Sequence, residues 1–261
     1  PAPGLAAKGK YGPLPVVSPE GRSPWKTYRR PYHGKPTQPR IAIVMYDLGL
    51  AEPQTLAAIQ DLPADISLAF NPYGSRVDEW TLQARAAGHE VLLQIPMEPV
   101  NAANDDPGPR AITSTLSAEQ RKDRLDWILS RAVGYVGVTN FMGDQMTAQR
   151  GQITPVMEML APRGLIYVDA RTTPATLAHK IARTQGIPSG VSTRFIDAPL
   201  VAREAIDQAL AGLEREALAK GRVIAFARPF PVTMERLRYW AVGLKNRNID
   251  LAPVSAAVLS R

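Results

Sequence analysis

Carboxylate, amide and guanidinium side chains recur in this chain directly after short runs of Ile, Val, Leu and Phe. Asp47 follows residues 41–45, Asn71 follows 66–70, Gln94 closes 91–94, Asn140 follows 135–138, Asp169 follows 165–168, Asp197 follows 194–196 and Arg228 follows 223–226. Glu98, Asp144 and Arg171 stand close behind three of these runs. In a barrel of parallel strands all carboxyl ends face one mouth, so residues far apart in sequence would converge there. Carboxylates so gathered can hydrolyse glycosides, at separations of about 5 Å or about 6.5–9.5 Å. They can equally hold a hard cation. A third outcome is plain neutralisation by Arg171 and Arg228 in an ion-pair network around a polar rim. Residue types alone leave all three open.

Other chemistries find little support. The chain has no Cys, which excludes disulfides, thiolate zinc sites and cysteine nucleophiles. Of the three histidines, His33 lies in the amino-terminal stretch, His89 enters a predicted strand from the end opposite the mouth, and His179 falls inside a predicted helix. All three are expected to be surface or locally satisfied side chains; His89 and His179 cannot easily reach the mouth, whereas His33 could if the tail folds back. G-x-S-x-G, G-x-G-x-x-G and G-x-x-x-x-G-K are all missing, which disfavours a serine hydrolase and a nucleotide-binding sheet.

The elements that must position these residues follow from periodicity. Apolar runs alternate with amphipathic stretches, the pattern of repeated β-α units. Helices are expected at 53–61, 77–87, 117–132, 155–162, 174–185, 202–220 and 233–246. Ser117 with Gln120 forms a capping-box pattern, and Thr154-Pro155 and Thr173-Pro174 place a hydroxyl before a proline, as at helix starts. Gly88, Gly164, Gly186 and Gly221 follow predicted helices, as left-handed helix ends favour. With a last apolar run at 249–254, the expected fold is α/β: a distorted (β/α) barrel of seven to eight parallel strands over residues 41–261, with an open doubly wound sheet as competitor. The stretch 101–114 reads as a long loop on the functional side.

The charge is unevenly spread. Net charge is +7 from 31 basic and 24 acidic residues, yet residues 1–40 hold eight Lys or Arg against Glu20 alone, leaving 23 of each sign beyond them. The pI of about 9.8 therefore describes a tail with nine prolines and five glycines, not a nucleic-acid surface. That composition reads as a solvated, polyproline-like linker. Within it, Trp25, Tyr28 and Tyr32 are unusual for a free linker, so residues of about 21–40 are expected to lie against the barrel. No run of about 18 apolar residues is present, so no segment here is expected to span a bilayer. The sequence opens at Pro1 rather than Met, which leaves room for a targeting or anchoring segment upstream.

The blocks I-V-M-Y-D-L-G-L (43–50), L-A-F-N-P-Y (68–73), A-G-H-E-V-L-L-Q-I-P-M-E-P (87–99), Y-V-G-V-T-N-F-M-G-D (135–144) and D-A-R-T (169–172) together resemble the divergent polysaccharide deacetylase family, in order, across residues 41–260. The resemblance implies a distorted (β/α) barrel and a bacterial envelope protein, periplasmic or otherwise held in the envelope, behind an amino-terminal signal or anchor. Classical relatives use one Asp as base, and a second Asp with two His to hold a divalent metal whose bound water attacks an acetamide. The family pattern runs D-D-L-G, N-H-M-G-S, D-S-R-T and G-H-P. In this chain Tyr46 takes the first Asp position and Asp47 the second, Phe141 replaces the N-H-M-G histidine, and Ala227-Arg228-Pro229 stands for G-H-P. Asp47, Asn140, Met142, Gly143, Thr147, Asp169, Arg171, Thr172 and Pro229 still match.

Phenylalanine offers no lone pair and arginine stays protonated, so no tightly held metal or other cofactor is expected. A tyrosine, with an ordinary pKa near about 10, is a poor base at neutral pH. The Arg228 guanidinium is expected to stand in for the lost metal charge by pairing with Asp47, Asp169 or Asp197. Asp47, Asp169, Asp197, Arg171 and Arg228 are thus the candidate reactive residues. Asn71, Tyr73, Gln94, Glu98, Asn140, Phe141, Asp144 and Thr172 are the candidates to contact an envelope glycan, with Tyr73, Phe141 and Phe230 able to stack on sugar faces. Alternatives are a deacetylase with Asp47, Asp144 and Asp197 as oxygen ligands, a glycosidase-like pair drawn from Glu98, Asp169 and Asp197, and a scaffold for another envelope protein.

Overall fold

The computed structural model describes residues 2–258. The fold is α/β, of the distorted (β/α)-barrel class: parallel strands alternate with helices along the chain. In chain order the elements are β1 (Ala6–Lys8), β2 (Pro13–Pro15), α1 (Pro24–Tyr28), β3 (Arg40–Leu48), α2 (Glu52–Asp61), β4 (Ser67–Phe70), α3 (Val77–Ala86), β5 (Val91–Met97) and α4 (Ala118–Leu129). They continue with β6 (Gly137–Met142), α5 (Asp144–Ala148), α6 (Arg150–Leu160), β7 (Ile166–Asp169), α7 (Ala178–Thr184), β8 (Ser189–Val191), α8 (Arg203–Lys220), β9 (Arg222–Ala227), α9 (Pro231–Gly243) and β10 (Asp250–Leu251). Two compact units divide these elements: residues 2–28, 92–191 and 258 form one, residues 29–91 and 192–257 the other.

In the first unit β5, β6, β7 and β8 run parallel, with Gln94 opposite Thr139 and Asp169 opposite Val191. The strands are almost continuously apolar and buried, as a parallel sheet requires. The amino-terminal residues are built into this unit further than their composition indicates. β1 and β2 pair as an antiparallel hairpin, and Leu5 and Leu14 are buried. Lys10 and Tyr11 both reach the Asp123 carboxylate of α4, at 2.6 Å and 2.8 Å. The Trp25 N–H donates to the Gly164 carbonyl at 3.1 Å. The linker reading fails for residues 6–15 because two leucines find a packed surface, which proline counts alone do not reveal.

At Gly164 this packing is close. Its φ is +64°, and a β-carbon there would meet Pro24 and Val17 side-chain atoms at 2.8 Å. Gly164→Ala should therefore lower stability by about 2 kcal/mol, the strain of a left-handed alanine plus a clash that loosens residues 17–25. Urea denaturation measures the loss, and an unchanged midpoint would contradict the packing.

In the second unit β3 pairs with β4, β9 and β10, all parallel. The β3–β4 register shifts between Met45 and Leu48, a bulge that kinks the end of β3. Residues 29–40 belong here: Arg30 pairs with Asp65 at 2.8 Å and Tyr32 donates to Asp250 at 2.7 Å. Burial, with the Asp250 carboxylate beside it, pushes the Tyr32 hydroxyl up to about 12.

Most expected elements stand within a few residues of their prediction, including the Ser117–Gln120 capping box. Four differ. Residues 194–196 form only a bridge, Phe195 opposite Phe226, and the strand lies earlier at Ser189–Val191. α6 starts at Arg150, so Pro155 lies inside it and Thr154 is no cap; the buried stripe Ile153, Val156, Met157 and Leu160 outweighs one lost N–H. α7 starts at Ala178 because the Thr173 and Thr176 hydroxyls each accept from the backbone two residues on, at 3.2 Å, holding turns where helix was expected. The run at 249–254 shortens to Asp250–Leu251, and Val254 enters a 3-10 turn.

Candidate functional site

The candidate residues fall into two groups, one in each unit. In the second unit the bulge gives Asp47 a left-handed backbone, φ +65°, and leaves its side chain half-buried. Asn71 Nδ2 donates to Asp47 Oδ1 at 3.3 Å, and Asn71 Oδ1 accepts the Tyr73 N–H at 3.1 Å, so the end of β4 fixes the acid from one side. Asp197 is fully buried. Its Oδ2 accepts the Arg228 backbone N–H at 2.6 Å and the Thr233 hydroxyl at 3.3 Å. Its Oδ1 has no hydrogen-bond donor and lies 3.7 Å from Arg228 Nη1.

Arg228 is more than a counter-charge. Its guanidinium lies 4.6 Å from the centre of the Phe195 ring, and Phe195 meets Tyr46 and Phe226 at 5.5 Å and 5.4 Å. The cation thus rests on an aromatic floor beside one buried carboxylate and acts on Asp47 through its charge. Burial raises the pKa of both acids, and the charge of Arg228 opposes that rise at each. Of the partners expected for Arg228, Asp197 is the one it pairs with.

In the first unit the ends of β6 and β7 are tied together. The Asn140 amide oxygen accepts the Ala170 N–H at 2.9 Å and the Tyr167 hydroxyl at 3.2 Å, while its nitrogen donates to the Met142 carbonyl at 2.8 Å. The Thr172 hydroxyl donates to that same carbonyl at 3.1 Å. Asn140 is therefore committed to holding two strand ends in register. Phe141 and Asp144 are half-buried beside this network.

Asp169 is fully buried and saturated. It accepts from the Arg171 N–H at 2.8 Å, the Thr176 hydroxyl at 2.8 Å and the His179 N–H at 3.3 Å, with His179 Nδ1 at 3.1 Å. That commitment removes it from a glycosidase-like pair and makes it the brace of the β7–α7 turn. His179 corrects the expectation that no histidine reaches a strand end. Because α7 begins late, His179 lies in its first turn and points back to its own strand; the D-x9-H spacing across one β-α turn carried that signal. Thr176, Thr233 and Phe195 were missed for a similar reason, since each lies a few residues from a predicted strand end or helix start.

Glu98 and Asp144 serve the long loop. Glu98 accepts the Ser114 N–H at 2.6 Å and Asp144 accepts the Val100 N–H at 3.0 Å, which fastens both ends of 101–114. Gln94 is buried with neither amide atom hydrogen-bonded, and the Thr139 hydroxyl across from it is equally unbonded. His89 is buried between the Ile66 and Ile59 carbonyls, at 2.7 Å and 3.1 Å. Phe230 is 37% exposed at the start of α9.

A divalent metal does not fit these residues. Among the described residues no group of three or more His, Asp or Glu side chains is arranged to hold an ion. Phe141 has no donor atom, Arg228 brings a positive charge, and His179 is bound to Asp169.

The sequence profile of the family described as divergent polysaccharide deacetylase matches residues 43–258. An uncharacterised protein of Haemophilus influenzae is 30% identical over 86% of this chain and 78% of its own. A crystal structure of an uncharacterised Agrobacterium tumefaciens protein superposes with a TM-score of 0.90 at 33% identity, covering 94% of this chain and 99% of the other. A mutant of a Bacillus anthracis CE4 family pseudoenzyme, described as having restored enzymatic activity, is similar in fold alone: TM-score 0.51 and 12% identity over 93% of this chain and 74% of the other.

Proposed function

The chain belongs to the divergent polysaccharide deacetylase family, and from that premise we propose that it binds a glycan of the bacterial cell envelope without the family's metal-dependent deacetylation. The observation that carries this reading is the Arg228 guanidinium, seated on Phe195 and paired with Asp197, at the position where the family resemblance implies a metal-binding imidazole. A fixed cation beside a buried carboxylate supplies donors and acceptors for sugar hydroxyls, and cannot lower the pKa of a water as a metal does. In this reading Asn71 holds Asp47 as an acceptor, Arg228 donates, and the periplasm or envelope is the place of action. Among the described residues no helix is long and apolar enough to cross a membrane.

The test joins calorimetric titration with chitooligosaccharides and peptidoglycan fragments to an acetate-release assay. Binding without acetate release is expected, with or without added zinc. Arg228→Ala should weaken binding about tenfold or more, the scale of one charge-assisted contact. Zinc-dependent acetate release, or an undiminished affinity in the variant, would overturn the reading.

A further inference from the structure

Among the described residues four non-glycine residues have left-handed backbone: Asp47, Met142, Arg171 and Asn248. Asparagine tolerates that region, whereas the other three lie at the carboxyl ends of β3, β6 and β7. Arg171, with φ +54°, is the one whose purpose the first unit's network leaves unexplained. Its backbone is fixed from both sides: the Ala170 N–H on Asn140 Oδ1 at 2.9 Å, its own N–H on Asp169 Oδ1 at 2.8 Å, and the Thr172 hydroxyl on the Met142 carbonyl at 3.1 Å. An L-residue in this conformation is strained where glycine would not be. Yet the side chain that carries the strain is exposed, and among the described residues its guanidinium makes neither an ion pair nor a side-chain hydrogen bond. The strand ends thus fix the backbone that bears a cation and leave the cation unneutralised.

We infer that Arg171 is an oxyanion-binding residue, so that the glycan this chain takes is acidic: it carries a carboxylate or a phosphate that the guanidinium grips. The planar fork of an arginine matches both groups with two parallel hydrogen bonds, and its charge persists at every physiological pH. The inference rests on the glycan reading and adds the ligand's charge to it.

The experiment titrates the full chain with a muramic-acid-containing disaccharide, the methyl ester of that disaccharide, neutral chitotetraose and a sugar phosphate. The free acid should bind about tenfold or more tightly than its ester. Arg171→Met should erase the difference, with the acid falling to the level of the ester, while Arg171→Lys recovers part of it. Arg150→Met, which removes an exposed arginine of α6, should change nothing. Arg171→Gly should lose the preference while melting at the same or a higher temperature, since glycine relieves the backbone; a lower melting temperature would make the residue structural and overturn the inference. Preference for the sugar phosphate, also lost in Arg171→Met, keeps the oxyanion role and assigns it to phosphate. Equal binding of acid, ester and chitotetraose overturns the inference and leaves the glycan reading standing. Binding of none of them removes both.

Discussion

Asp169→Ala should lower the stability of the folded protein by about 4 kcal/mol, which for a chain of this size is a fall in melting temperature of roughly 10 °C. The carboxylate is fully buried and receives three backbone or hydroxyl donors and the His179 ring. Alanine would strand all of them at the start of α7 and release the β7–α7 turn. Asp169→Asn keeps one acceptor oxygen and should cost about half as much. Removing only the ring, in His179→Ala, should cost about 1 kcal/mol. Calorimetry of the three variants gives the order Ala, then Asn, then the histidine change. If Asp169→Ala melts with the parent, Asp169 is not the brace described, and a role for it in chemistry reopens.

Glu90 sets the second large effect, a dependence on pH. It is buried, and it accepts the Arg30 N–H at 3.0 Å, the Ser255 N–H at 3.0 Å and the Ser255 hydroxyl, joining the entry of the second unit to its last turn. Burial raises its pKa, and these donors and the Arg29 charge only partly oppose the rise. The folded state therefore keeps the proton to higher pH than the unfolded chain does. The contribution to stability is complete below the ordinary glutamate value and is lost as pH rises through the raised one. Within that window the slope reaches about 1.4 kcal/mol per pH unit. Asp47 and Asp197, also raised by burial, act in the same direction. Glu90→Gln cannot ionise, so the stability of the parent relative to this variant should fall as pH increases. Urea denaturation at a series of pH values from about 4 upward measures the difference; a constant difference, or one that grows, would exclude the assignment.

Both effects arise where a polar group was legible in the sequence but its partners were not. Asp169 could be placed at a strand end from the apolar run before it, and whether it faced solvent, a metal or a helix start depended on where α7 began. Two threonine turns moved that start by four residues and turned His179 toward the strand. Asn140 was similarly visible as a strand-end amide, while its hydrogen bonds to Met142, Tyr167, Ala170 and Thr172 arose from the way β6 and β7 end side by side. Glu98 and Asp144 looked like site acids because the loop they fasten has no periodicity to announce its folded path.

The sequence by itself determined the α/β class, the alternation of strands with helices, the family, and the presence of Phe141 and Arg228 where the family resemblance implies imidazoles, because period, punctuation and residue chemistry are local properties. Only the tertiary structure decided that Arg228 stacks on Phe195 and pairs with Asp197, that the hairpin of residues 6–15 packs rather than trails, and that Arg171 is held in a strained backbone with its charge unspent. Those outcomes depend on which groups exclude water from one another, and burial of that kind is a property of the packed chain and of no segment read alone.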